Sequence, residues 1–428
     1  MKQYEKYKQT GIKWISEIPI HWDIQKMRFI GNFTSSGIDK KIIEGEPLVK
    51  IVNYTDVYGN EKKILNGEMV YMEVSCPKER IKEHLVRKGD LIFTPSSETI
   101  EDIGLSALVD TELDNTAYSY HVLRFRFEKD VDHNFKKYLC NNYFVLNQFS
   151  SNAKGTTRQI LNREIFNSAF VVIPPKEEQA AIANFLDEKT TETAKLISNK
   201  QKLIELLKEE RTAIINKAVN GEKKNWEKNK LKYVVSKVGS GVTPTGGASV
   251  YLQEGIPLLR SQNIFSDRLE LTDVAYISEE IDEQMINSRI QDDDVLLNIT
   301  GASIGRCFYV PKNFGRGNVN QHVCILRPVQ SKIKTEYLHS FLISSYGQTL
   351  IDVCQNGANR EGLNFQQIKS FEIPLPKISE QEEILKHIQT ETQYVDNTIS
   401  TIEKEIELMQ EYRIALISEA VTGKIKVV

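Results

Sequence analysis

The feature that most constrains this chain is that it is written twice. Gly155-Thr156-Thr157-Arg158 with Leu161-Asn162 returns as Gly357-Ala358-Asn359-Arg360 with Leu363-Asn364, at an offset of 202 residues. The same offset pairs Glu178-Gln179 with Glu380-Gln381, Arg211 with Arg413, and Ala218-Val219-Asn220-Gly221 with Ala420-Val421-Thr422-Gly423. From Glu178 onward the match needs no gap, as a continuous helix demands, because one inserted residue would turn every later side chain by about 100°. Upstream the repeat is looser. Trp22 matches Trp226, Met27-Arg28-Phe29-Ile30 matches Leu231-Lys232-Tyr233-Val234, Ser36-Gly37 matches Ser240-Gly241, Asn53 lies opposite Asn263, and His121-Val122 matches His322-Val323. Offsets there wander between 201 and 210, so the scaffold is shared while the loops differ. A period of half the chain means a duplicated two-part unit, not a solenoid.

Each unit has a strand-rich part and a helical part. Short apolar pieces at 48–52, 90–93 and 122–127, and at 258–262, 294–297 and 323–326, predict strands separated by Gly, Pro, Asn and Ser, with helical stretches at 134–148 and 335–352. Long helices are expected over 176–219 and 379–421, each entered after a proline stop and closed by Gly221 or Gly423. The second carries a 4-3 apolar stripe of Val395, Ile399, Ile402, Ile406, Met409, Leu416 and Ala420, with Arg413 inside it; the first places Thr193, Ile197, Lys200, Ile204, Leu207, Arg211, Ile214 and Ala218 at the same positions. A helix on the order of 60 Å long with one apolar face needs a partner, so the two are expected to pair as an antiparallel coiled coil. The alternative is that each packs on its own globular part. The fold class is therefore duplicated α/β (α+β) domains joined by two long helices with a pseudo-two-fold internal repeat. The expected segments are 1–172, a central helix 173–222, 223–373 and a C-terminal helix 374–428.

Composition closes several other routes. No apolar run approaches the roughly 20 residues of a membrane span, and the N-terminus lacks a secretory core segment, so a cytoplasmic protein without membrane contact is expected. Five cysteines without a CxxC pair argue against a disulfide framework or structural zinc. The net charge of −3, with no basic block, argues against a tight stand-alone binder of nucleic acid. An amino-methyltransferase would need an Asn-Pro-Pro-Tyr-type motif and a glycine-rich cofactor loop, and neither occurs. Asp56 with Glu61-Lys62-Lys63 imitates a nuclease pattern but lies across the Tyr58-Gly59-Asn60 turn, and no Walker motif is present.

The sequence resembles the specificity subunits of type I restriction–modification systems over nearly its whole length. The resemblance rests on Tyr7-Lys8-Gln9-Thr10-Gly11-Ile12, Ile18-Pro19 and His21-Trp22, on Gly241-Val242-Thr243-Pro244 and Ile256-Pro257-Leu258-Leu259, and on the Ile-Pro then Glu-Gln entries to both helices. It implies two target-recognition domains, each reading half of a bipartite site in double-stranded DNA, held apart by the helices. It implies two methyltransferase subunits docked on those helices, with S-adenosylmethionine bound in them and no cofactor in this chain. Endonuclease/translocase subunits would join for restriction, and the chain itself would be non-catalytic. The alternative is a coiled-coil scaffold whose globular ends bind proteins.

Residue chemistry suggests where DNA would be met. Lys154, Thr156, Thr157 and Arg158, and their counterparts Asn359 and Arg360, combine a glycine that permits close backbone approach with hydroxyls, amides and a forked cation. Both copies keep the Gly and the Arg, which favours phosphate contact over base readout; the alternative is an Arg that caps the following helix. Base readout is expected from loops that differ between copies, at 35–41, 75–80 and 94–101 and at 243–249, 261–268 and 300–306. Lys40, Lys41, Lys50, Thr243, Arg260, Asn263 and Arg306 are the candidate side chains able to reach groove edges. His121 and His322 read as strand histidines with satisfied partners, and Trp22 and Trp226 as core anchors.

Overall fold

The computed structural model describes residues 2–220, 226–355 and 362–427. It divides into two compact units, residues 1–200 with 404–428, and residues 201–403.

The first unit carries a five-stranded sheet in the order Gly31–Thr34, Leu123–Phe127, Leu91–Phe93, Ser106–Val109, Ile64–Leu65, and a three-stranded sheet in the order Thr116–Tyr118, Leu48–Val52, Met72–Ser75. The second unit repeats the plan. Val235–Ser240, Val323–Pro328, Val295–Asn298 and Cys307–Tyr309 form a four-stranded sheet, and Asn318–Val319, Ile256–Leu259 and Ala275–Ile277 a three-stranded one. In both small sheets the middle strand pairs parallel on one side and antiparallel on the other. The cores are separate. Phe33, Phe93, Phe125, Phe149 and Phe166 cluster in the first unit, while Tyr337, Leu338, Phe341 and Ile351 anchor the second. Trp22 is fully buried, and Trp226 packs half-buried against its unit's core.

One polar device recurs at the same place in both sheets. Asp90 is held in a fork by Arg126, at 2.8 Å from Nε and 2.7 Å from Nη2, and Asp294 by Arg327, at 2.7 and 2.8 Å. Asp294 is fully buried and also accepts the backbone N–H of Gln291. Removing the carboxylate strands a partly buried guanidinium against the sheet. Asp294→Ala is therefore expected to destabilise the second unit by about 3 kcal/mol. A thermal melt that shows an unchanged transition for that unit would refute the structural role.

The long helices are α1, Lys176–Val219, and α2, Ile378–Val421, each of 44 residues. Their entries explain the Glu-Gln motif. Buried Gln179 donates to the carbonyl of Pro174 at 2.8 Å and accepts the N–H of Asp132 at 2.8 Å. Buried Gln381 does the same with Pro376, at 2.9 Å, and Lys334, at 2.9 Å, so each glutamine clips a helix start to its own domain. Glu178 gathers the N-terminal motif: Tyr4 Oη donates to it at 2.6 Å, Trp22 Nε1 at 3.1 Å, and His21 Nε2 lies 2.6 Å away. Gly423 closes α2 with φ +76, and a Cβ there would lie 2.4 Å from Pro19 Cδ. Gly221, the expected stop of α1, lies outside the described residues.

In the first unit, Ile182, Ala183 and Leu186 near the start of α1 share a core with Leu416, Ala420 and Val421 near the end of α2, and Lys200 pairs with Glu405. In the second, Ile215 and Val219 at the end of α1 share a core with Ile384 and Ile388 of α2, and Arg211 Nε meets Asp396 at 2.8 Å. Both pairings are antiparallel, and the same helix ends also pack on the domain of their unit, so the two expectations for the helices hold together. Every expected stripe position is buried or half-buried, and Arg211 interrupts the stripe because Asp396 faces it.

Candidate nucleic-acid interface

The Gly-Arg loop of the first unit is the tip of a small hairpin. Lys154 and Ile160 exchange backbone hydrogen bonds at 3.2 and 2.8 Å, and Gln159–Ile160 pairs with the strand Ser96–Ser97. Thr156, Thr157 and Arg158 are thereby exposed at the turn. Gly155 sits at φ +137, and a Cβ would lie 2.0 Å from the Arg158 carbonyl oxygen. The glycine is thus required by the tightness of the turn itself. Arg158 does not cap the following helix; Asn162 does, accepting the N–H of Ile165 at 3.0 Å. Instead Arg158 Nε donates to Ser96 Oγ at 3.0 Å, and its guanidinium lies 5.3 Å over the Tyr54 ring. Both terminal nitrogens stay clear of protein acceptors among the described residues, so the fork is oriented and available.

His121 joins this surface. It is exposed in a turn ahead of Leu123–Phe127, not within the strand, and lies against Tyr120 with ring centroids 3.8 Å apart and planes tilted by 35°. Partial burial, followed by the nearby charges of Lys40 and Arg158, holds its imidazole below the ordinary histidine pKa. Lys40, His121, Arg158 and Ser96 therefore form one cationic, hydrogen-bonding patch. Lys41 is tied to Asp39 at 2.9 Å. Lys50 stands apart from these loops, on the exposed face of the central strand Leu48–Val52, between Thr116 and Glu73.

The second unit builds the same place from different side chains. Thr300 bridges Gly362 as Ser96 pairs with Ile160, and 202 residues again separate Gly362 from Ile160. Thr243 Oγ1 donates to Gln321 Oε1, Gln321 Nε2 lies 2.9 Å from His322 Nε2, and His322 Nδ1 meets Thr300 Oγ1. His322, like His121, lies in a turn and not in the strand that follows, which corrects the expectation for both. Arg306 is exposed over the Phe265 ring at 5.4 Å, beside Arg268 at 4.5 Å. Asn359 and Arg360 lie outside the described residues.

Two candidates are removed by their own contacts. Asn263 is 1% exposed. Its Oδ1 accepts the N–H of Arg260 at 3.0 Å, and its Nδ2 donates to the carbonyls of Glu270 and Asp273, both at 3.0 Å. It is a turn-closing residue. Arg260 is half-buried, with Nη2 on the Asp273 carbonyl at 3.0 Å and its guanidinium over Tyr251 at 5.8 Å, so it braces the same turn. The nuclease-like Asp56 likewise accepts the backbone N–H of Asn53 at 2.7 Å as the N3 member of a capping box. Sequence reasoning missed Tyr120 and Gln321, and it reached Ser96 and Thr300 only as members of the loops 94–101 and 300–306. The available signal was that Tyr120 and Gln321 both precede the matched histidines, while Ser96 and Thr300 both stand six residues after the matched Asp90 and Asp294.

A family model for the type I restriction modification DNA specificity domain matches residues 39–206 and 223–408. The EcoBI specificity subunit of Escherichia coli is 24% identical over 305 residues, covering 65% of this chain and 63% of that protein. The putative MjaX specificity subunit of Methanocaldococcus jannaschii is 24% identical over 447 residues, covering 99% of this chain and 97% of that protein. Among solved structures, a chain from a type I restriction–modification system, described for its complex assembly and conformational transition, superposes with a TM-score of 0.70 at 15% identity. It covers 95% of this chain and 99% of its own. The HsdS subunit from Thermoanaerobacter tengcongensis gives 0.51 at 15% identity, over 95% of this chain and 98% of that one. With both repeats matched by the family model and the duplicated fold shared, this chain belongs to the family of type I restriction–modification specificity subunits.

Proposed function

We propose that the chain reads a bipartite DNA sequence for a type I restriction–modification complex, one half-site per unit, and performs no chemistry itself. The observation that carries this reading is the repeated patch. Its frame is the same in both units, while its side chains differ, with Tyr120 opposite Gln321 and Ser96 opposite Thr300. Two like frames with unlike surfaces suit two unlike half-sites. Lys40, Thr156, Thr157 and Arg158, and in the second unit Arg306 with Asn359 and Arg360, are the groups assigned to the DNA, with the arginines that both copies keep on phosphate. S-adenosylmethionine and the methyl transfer belong to two methyltransferase subunits docked along α1 and α2, and cleavage to endonuclease/translocase subunits. Among the described residues no helix is long and apolar enough to cross a membrane.

The experiment is a salt titration of duplex binding, with and without the methyltransferase partner. A net charge of −3 favours weak, salt-sensitive binding by the chain alone and tight binding by the complex. In the complex, Arg158→Ala is expected to weaken all sequences alike and to reduce the slope of log K against log salt by about 1. Nanomolar, site-specific binding by the isolated chain at physiological salt would contradict the reading. A recognition sequence altered by Arg158→Ala at unchanged slope would move that arginine from phosphate to base.

A further inference from the structure

We infer that Gln321 reads an adenine in the half-site recognised by the second unit, through an amide that its neighbours hold with one donor and one acceptor still open. The inference rests on the reading of the chain as a DNA reader and goes beyond it by naming the residue and the base.

The amide is fixed from both ends. Oε1 is acceptor-only, so Thr243 Oγ1–H donates to it. Nε2–H donates to His322 Nε2 at 2.9 Å, which places the imidazole proton on Nδ1, and that proton goes to Thr300 Oγ1. The histidine is itself anchored by its backbone: its N–H donates to Asn320 Oδ1 at 3.1 Å and its carbonyl accepts from Ile299 at 3.0 Å. Gln321 remains exposed. Each amide atom has one bonding site left, a lone pair on Oε1 and an N–H on Nε2. Turning the amide over and moving the imidazole proton would leave the same pair open.

That pair is the complement of adenine in the major groove, which offers the N6–H donor and the N7 acceptor side by side. Guanine offers two acceptors there, and neither pyrimidine presents the donor–acceptor pair on one base. A glutamine free in solvent would lose rotamer entropy on binding; here Thr243 and His322 have already fixed it. In the first unit the same position is Tyr120, whose ring lies on His121 and whose single hydroxyl cannot form the bidentate pair. The frame therefore places unlike chemistry at equivalent points of the two half-sites.

The test uses the complete complex with its methyltransferase partner and a duplex library randomised across the half-site of the second unit. Selected sequences are read for the wild type, Gln321→Ala and Gln321→Glu. The wild type is expected to require adenine at one position. Gln321→Ala should lower discrimination there by about 5- to 150-fold, the effect of one bidentate base contact, and leave the other half-site unchanged. Gln321→Glu keeps the size of the side chain but loses the N–H, so it should also lose the adenine preference and favour cytosine, whose N4–H donates to a carboxylate. Unaltered preferences in both variants, with a bipartite site selected by the wild type, would overturn the assignment of Gln321 alone. Loss of binding to every sequence by both variants would also count against it, because an exposed base reader should spare the fold and the first half-site. Failure of the wild type to select any bipartite sequence would overturn the reading of the chain as well.

Discussion

Exchanging residues 226–372 for the matching stretch of another specificity subunit should replace one half of the recognised sequence and leave the other half untouched. The physical basis is the separation of the cores. The sheet residues Leu297, Cys324 and Leu326 of the second unit bury with Tyr337, Leu338 and Phe341, while Phe33, Phe93 and Phe125 bury only within the first. The exchanged piece meets the retained helices through Ile215, Val219, Ile384 and Ile388. A donor that supplies apolar residues of similar volume against those four should cost less than about 1.5 kcal/mol per position. The half-site change should be complete, since Thr243, Gln321, His322, Thr300 and Arg306 all travel with the exchanged piece. Methylation-site sequencing in cells that carry the hybrid reads the outcome. Loss of both half-sites together would show that the units do not recognise DNA independently.

A comparably large effect is expected at the outer faces of the helices. Leu206 of α1 is 60% exposed and Leu408 of α2 is 51% exposed. The repeat offset of 202 places them at the same position, each between stripe residues that turn inward (Ile204 and Leu207, Ile406 and Met409). Equivalent apolar side chains, one per repeat, suit a partner present in two copies. Covering each contributes about 1–2 kcal/mol, and a carboxylate in its place adds the cost of burying a charge. Leu206→Glu with Leu408→Glu should therefore weaken methyltransferase association more than about 100-fold. Because both positions face solvent, the thermal transition of the chain alone should be retained. Sizing the reconstituted complex by light scattering distinguishes the outcomes: one subunit lost per single variant and two lost in the double variant is expected. A double variant that assembles normally would place the partner elsewhere.

The helices were legible in the sequence because packing imposes a strict period on them. A gapless forty-residue match and a 4-3 stripe leave little freedom, and even the arginine that breaks the stripe at 211 is explained by its ion pair with Asp396. The strands were legible as pieces but not at their ends. The apolar run from 258 stops being strand at Leu259, because Asn263 closes the turn Ser261–Asn263 against the Arg260 N–H. The stretch 134–148 is two helices, since Asn142 caps the second by accepting the N–H of Val145. The stretch 335–352 is likewise divided at Ser344.

The candidate site was legible only where a rare backbone demand marked it. Gly155 and Arg158 stand out because the tight turn at 155–158 needs the glycine, and both residues return in the second copy of the sequence as Gly357 and Arg360. His121 and His322 read as strand residues, since a histidine before an apolar run has the same pattern whether it lies in the strand or in the turn before it. Asn263 misled in the opposite direction: an asparagine repeated in both units looks like a contact residue, but here burial and three hydrogen bonds commit it to the fold. Periodicity reports which side chains are buried and does not report which loops meet, and the patch is made of loops from distant parts of each unit.

The most direct test is single-molecule methylation sequencing of DNA from a host that expresses this chain with its methyltransferase partner, compared with the same host lacking the chain. The expected result is methylation at one bipartite motif, two unlike specific halves separated by a fixed run of unspecified bases, present only when the chain is present. Methylation that appears without the chain, or that follows one continuous motif unaffected by its removal, would contradict the assignment of sequence recognition to this protein.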